Sequence, residues 1–193
     1  MTMQTPAASA AETTPLAEAD IRRIVKEEVT KAFASNPASR RAAIIASKGT
    51  LDWAYPPLIL ANAAAAAGMQ VSMFFTFYGL NIIHRDFEKK LKVDPVGNPA
   101  MPMPVPMPDV VTGMPGMVTM ASKMMRSRFA KNNVATIRTL LDSARELEVR
   151  LIACQMTVDV FDYAPEEFIE GIEFGGAAAF MSEARRSEVN LFI

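Results

Sequence analysis

Short apolar runs alternate with amphipathic stretches along most of this chain. Ala42–Ala46, Gln70–Phe77, the half of Val149–Phe161 that ends at Cys154, and Val189–Ile193 are brief runs rich in Val, Ile and Phe. Runs of this length, bounded by charge or glycine, are expected as strands buried on both faces of a parallel sheet. Phe168–Phe174 is strand-like in part. Between the runs the spacing turns helical. Leu16–Ala34 places Ile21, Ile24, Val25, Val29, Ala32 and Phe33 on one stripe, with Arg22, Arg23, Lys26, Glu27 and Lys31 largely outside it. Pro57–Gly68 is an alanine-rich helix closed by Gly68 as C-cap. Leu80–Leu91 reads as one short helix. Asn133–Glu148 gathers Ile137, Leu140, Leu141, Ala144 and Leu147 on a face, and Ala177–Arg186 is a last helix. The alternation predicts an α/β protein: a three-layer α/β/α sandwich around a mostly parallel sheet of about five strands.

Two segments fall outside that alternation. Residues 1–40 are expected as a flexible N-terminus followed by the amphipathic helix, and 41–193 as the α/β domain. Within the domain, an insertion at about 98–125 carries eight of the 14 methionines and six of the 13 prolines. The prolines prevent helix through its first part, yet it is too apolar for a solvated loop. Two uses fit. Methionine adapts to irregular surfaces, which suits a lid or an interface. Thioethers also ligate Cu(I), which suits a Met-rich metal-binding or interaction protein with a structural cysteine. The segment holds no His or Cys to support a metal motif, which favours the lid.

Composition narrows the function classes. A net charge of −1 gives no electrostatic reason to expect nucleic acid. One cysteine and one histidine exclude an internal disulfide, a dithiol redox pair and a Cys-rich zinc site. His84 is expected as a surface or partly packed residue. The apolar stretches 56–68 and 71–83 are each shorter than the roughly 20 residues a membrane span needs. No secretory signal is visible, and a cytoplasmic protein without cofactor or metal is expected.

The candidate chemistry centres on Cys154. It falls where the strand run gives way to a helical one, with Met156, Val160 and Phe161 apolar and Asp159 between. A cysteine there meets unpaired backbone N–H groups and the positive end of a helix dipole, both of which favour a thiolate. The alternative is a buried structural cysteine. Lys48, in Ser47-Lys48-Gly49-Thr50, follows a strand at the edge where ligands gather in open α/β sheets. The glycine run of a phosphate-binding loop is absent, and a nucleotide-binding domain has little behind it.

Taken in order, Ile44-Ile45-Ala46-Ser47-Lys48-Gly49, the Met- and Pro-rich insertion, Leu151-Ile152-Ala153-Cys154-Gln155-Met156-Thr157-Val158-Asp159, and Gly171-Ile172-Glu173-Phe174-Gly175-Gly176 resemble the DsrE/DsrF-like sulfur-relay family. The resemblance covers about residues 41–193 and is to the Met-rich subgroup often mislabelled as peroxiredoxins. The mislabel fails on chemistry, because a threonine three positions before Cys154 and a resolving thiol are both lacking. The resemblance implies a homo-oligomer whose Cys154 holds sulfane sulfur or a thiosulfonate group and passes it between partners in sulfur oxidation. It implies a sulfurtransferase-like carrier without strong turnover. Its partners would be sulfur-donor and sulfur-acceptor proteins, rhodanese-like or small sulfur carriers. The backbone N–H groups of Gln155 and Met156 would position the sulfur, and loops with Ser47, Lys48, Gly49, Tyr78, Gly79, Gly175 and Gly176 would line the same edge.

Overall fold

The computed structural model describes residues 40–94 and 116–193, together with Arg23 in a helical turn. The rest of the Leu16–Ala34 stripe and the insertion as far as residue 115 lie outside the described residues. One sheet contains β1 (Arg41–Ala46), β2 (Gln70–Phe75), β3 (Arg150–Cys154), β4 (Ile172–Gly175) and β5 (Val189–Phe192). The order is β4-β3-β2-β1-β5, and every pairing within the sheet is parallel. Seven helices accompany it among the described residues: α1 (Leu51–Ala66), α2 (Leu80–Ile83), α3 (Phe87–Lys90), α4 (Met117–Lys131), α5 (Ile137–Glu146), α6 (Gln155–Val160) and α7 (Ala177–Ala184). The α/β sandwich expected from the pattern is the one observed.

Successive strand residues point to opposite faces, so register sorts the core into two unequal parts. One face presents Ala42, Ile44, Ala46, Val71, Met73, Phe75, Leu151 and Ala153. Against it α1 buries Leu51, Ala54, Leu58 and Ala61, and α5 buries Ile137, Leu141 and Ala144. Asn62 ties these two helices, donating to the Leu140 carbonyl at 3.0 Å. The opposite face presents Ala43, Phe74, Ile152 and Cys154 and is covered by Phe180 of α7. At the amino end of that face Arg150 donates to Glu173 at 2.7 Å and pairs with Glu183 of α7 at 3.1 Å, while Arg41 reaches the other Glu183 oxygen at 3.3 Å.

Several boundaries differ from the expected ones. Helix α1 begins at Leu51, ahead of the Pro57 start, because both prolines lie early in it: their missing N–H groups leave only the Asp52 and Trp53 carbonyls without donors. The expected Leu80–Leu91 helix is split. His84 adopts ψ 145°, leaves the helix and forms an antiparallel bridge with Phe168. Helix α5 starts at Ile137 rather than Asn133, which sits at φ 53°; Thr136 caps it by accepting the Thr139 N–H at 3.1 Å. The last ten residues of the expected insertion belong mostly to α4. Pro115 is the last breaker, and beyond it Val118, Ala121, Met125 and Phe129 recur at helical spacing and pack on the core. Ser122 fixes that helix by accepting the Val93 N–H at 3.0 Å, and Arg126 by donating to the Leu91 carbonyl at 2.9 Å.

Candidate functional site

Cys154 ends β3 and is the N-cap residue of α6, with φ −69° and ψ 109°. Its parity is that of Ile152, so its side chain falls on the thinly covered face, among Ala43, Phe74, Ile152 and Phe180. It is 5% exposed, and its side chain makes no capping bond to the α6 N-terminus. The thiol meeting the helix amides, expected from the sequence, is therefore replaced by a buried thiol in an apolar cluster, the environment of the structural-cysteine alternative. Strand alternation decides this: residue 154 is placed before the chain turns into the helix. The side chains of Gln155 and Met156 turn outward. Gln155 donates to Asp159 at 2.7 Å, and Met156 is exposed.

The remaining expected residues all lie at the carboxyl edge of the sheet. Gly175 stands opposite Cys154 in the β3–β4 register, and Gly176 is the N-cap of α7. Ser47, Lys48 and Gly49 form the loop after β1. Tyr78 and Gly79 lie in a 3-10 turn, Phe77–Gly79, after β2. These two loops are locked together: the Gly79 N–H donates to the Ser47 carbonyl at 3.2 Å. A Cβ at Gly49 would run into the Tyr78 carbonyl oxygen, and one at Gly79 into that of Ala46, so close backbone approach requires glycine at both. Lys48 rests its ammonium 3.3 Å above the Trp53 ring, and Tyr78 stacks on Phe161 at 5.9 Å.

Two parts of the site were missed by sequence reasoning. Thr157, buried in α6, faces Thr76 with 3.2 Å between the hydroxyl oxygens and accepts the Phe77 N–H at 3.3 Å. It thereby ties the Cys154 helix to the loop after β2. Phe74 and Phe180 form the apolar roof beside the thiol. The alternation of β2 and β3 carries the signal for Phe74, since its register partner is Ile152. Nothing in the local pattern marks Phe180.

His84, expected as a surface or partly packed residue, is buried. Its Nδ1 accepts the Asp86 N–H at 2.9 Å, and its Nε2, without a hydrogen-bond partner, lies 3.6 Å from Glu167. Burial, followed by the Lys90 charge, holds its pKa below the ordinary value, against the opposing pull of Glu167 and Asp86. Among the described residues no group of three or more His, Cys, Asp or Glu side chains is placed to hold a metal. Four of the eight methionines of the Cu(I) alternative, Met101, Met103, Met107 and Met114, lie outside the described residues.

Residues 38–192 match the model of the DsrE/DsrF/DrsH-like family, and the chain belongs to that family. Among individual proteins it is 49% identical over 158 residues to "Sulfur carrier protein DsrE2" of Allochromatium vinosum, covering 80% of this chain and 98% of that one. It is 31% identical over 165 residues to "Uncharacterized protein YrkE" of Bacillus subtilis, again covering 80% and 98%. Among solved structures, the ychN protein from E. coli aligns with a TM-score of 0.49 at 11% identity, over 80% of this chain and 99% of that one. No helix of the described residues is long and apolar enough to cross a membrane.

Proposed function

We propose that this protein is a sulfur carrier that loads sulfane sulfur or a thiosulfonate group on Cys154 and passes it from a donor protein to an acceptor protein, in the course of sulfur oxidation. The observation that carries the reading is the position of Cys154, the chain's one thiol, at the carboxyl end of a central strand in a chain of this family. The name of the Allochromatium vinosum relative supports it. In loading from a persulfide, the Cys154 thiolate attacks the terminal sulfur of the donor. A sulfur–sulfur bond forms at Sγ, the donor's own sulfur–sulfur bond breaks, and the donor leaves as a thiolate. With tetrathionate the same attack leaves a thiosulfonate on Sγ and releases thiosulfate. Unloading is the reverse attack by an acceptor thiolate, so neither step needs an outside oxidant or reductant. A single thiol suits a carrier, because a second one nearby would expel the sulfur by closing a disulfide.

Mass spectrometry after incubation with polysulfide, thiosulfate or tetrathionate tests the reading. The expected result is an adduct on Cys154 that is removed by a thiol and absent from Cys154→Ser. No adduct with any of the three, in protein whose thiol alkylates, would refute it.

Self-association belongs to the same reading. The solvent side of α1 carries Trp53, Pro56, Ile59, Leu60, Ala63 and Ala66, all exposed and none charged. With its other side in the core, α1 is apolar all round, the pattern of a helix covered on both sides. A second copy of the chain is the cover we propose, and closed symmetry then fixes a small subunit number.

A further inference from the structure

The thiol that sulfur loading needs is enclosed, and the enclosing residues differ in how freely they can move. Ala43, Phe74 and Ile152 belong to β1, β2 and β3, the three central strands, and cannot shift without breaking the sheet ladder. Phe180 belongs to α7. That helix has eight residues and buries Phe180 alone. Its N-cap, Gly176, supplies no side-chain capping bond, and Ala177, Ala178 and Ala179 are exposed. Its far end is pinned by Glu183 to Arg41 and Arg150. The helix is therefore tethered at the end away from Cys154 and loose at the end beside it.

Phe180 also has a second neighbour. Together with Ala43 it walls an open, largely apolar groove of about 720 Å³ between α7, β1 and β5, rimmed by Met181 and Phe192. On its inner side its ring lies 5.1 Å from that of Phe74, in the cluster that holds Cys154. The ring thus lines the groove on one side and on the other belongs to the cluster that holds the thiol.

We propose that Phe180 is the gate residue for Cys154: the first turns of α7 lift about the Glu183 anchor, withdraw the ring, and open the thiol to the groove. The opening selects an unbranched chain ending in sulfur, such as a hydropolysulfide or an extended thiol-bearing segment of a partner protein, over a bulky group at the same sulfur. This rests on the reading that Cys154 is the reacting group. Local opening of an element with little buried surface is the step that makes such a thiol reactive without unfolding the domain.

Alkylation kinetics test the gate independently of sulfur chemistry. Wild-type protein should react slowly with iodoacetamide and more slowly still with fluorescein maleimide, although the maleimide is the faster reagent toward a free thiol. Phe180→Ala should accelerate both by about tenfold or more and narrow the size preference, with Phe180→Leu between. Hydrogen exchange on the wild type should show α7 amides opening ahead of those of β3. A folded Phe180→Ala protein that alkylates at the wild-type rate overturns the proposal. If that variant does not fold, Glu183→Gln decides: it releases the anchor without touching the apolar cluster and should also accelerate alkylation, and an unchanged rate overturns the gate. Polysulfide loading of the same samples separates the two claims. Faster alkylation with no sulfur adduct in any sample leaves the gate and removes the carrier reading. Sulfur loading equally fast in wild type and Phe180→Ala removes the gate and leaves the carrier.

Discussion

The two faces of the sheet are built to different standards. On one, α1 buries six residues, Leu51, Ala54, Tyr55, Pro57, Leu58 and Ala61, and α5 buries three more. On the other, α7 buries Phe180 alone, and Met181 and Phe192 stay largely in solvent. A sheet held firmly from one side does not need an equally firm cover on the other, because the strands are already fixed by their ladder and by the deep core. The thin face can then be made of parts that open cheaply. Cys154 lies on that face. Its strand belongs to the rigid part of the molecule and its cover to the soft part, which suits a residue that must keep its place and still meet a partner.

The comparison breaks most directly by truncating equivalent side chains on the two sides. Leu58 is fully buried against the sheet, and Leu58→Ala should cost about 2–5 kcal/mol in urea unfolding. Phe192→Ala, on the thin face at 74% exposure, should cost no more than about 0.5 kcal/mol despite removing a larger group. Equal losses at the two positions would mean that the thin face is covered in solution, and the contrast drawn above would fail.

A smaller effect sharpens the other half of the comparison. Leu60 is 43% exposed on the outer side of α1, two turns after Trp53 and one turn before Ala63 in the apolar stripe. Leu60→Glu should lower the subunit number seen by light scattering while the far-ultraviolet circular dichroism of the domain is unchanged. An oligomer that keeps its size with a carboxylate in the stripe would place the contact between copies elsewhere on the chain.

How much of this was legible beforehand depends on the range of the interactions. The strands were readable because β1, β2 and β3 are buried on both faces and so appear as continuous apolar runs. The sandwich follows from their alternation with helices. The Cys154 junction was readable too, since the change from strand to helix spacing is local. The orientation of the thiol was not, although parity with Ile152 already carried it. Phe180 was invisible because its role depends on α7 packing back on the sheet, which brings residues 154 and 180 into one cluster that no local spacing reports. His84 failed for the same reason: its bridge partner Phe168 is 84 positions away.

His84 gives the smallest expected effect and a direct reading of how the loop after α6 is held. In the folded protein its neutral ring accepts the Asp86 N–H through Nδ1, and burial and Lys90 disfavour a second proton. Its folded pKa lies below the value near 6.5 that it has in the unfolded chain. As pH falls through 6.5 the unfolded chain takes up the proton first, so folding becomes less favourable between 6.5 and the lower folded value, and the dependence ends below it. The contribution is present above pH 6.5 and lost in acid. Because His84 is the chain's one histidine, no other imidazole contributes to a slope in that window. Urea unfolding at pH 7.5, 6.5 and 5.5 should show wild-type stability declining across the three. His84→Asn, whose amide oxygen can accept the same N–H without titrating, should remove most of the decline. An equal slope in the variant would assign it to groups other than His84. A wild-type stability that rises toward pH 5.5 would mean that the Glu167 carboxylate, 3.6 Å from Nε2, outweighs burial and holds the proton on the ring.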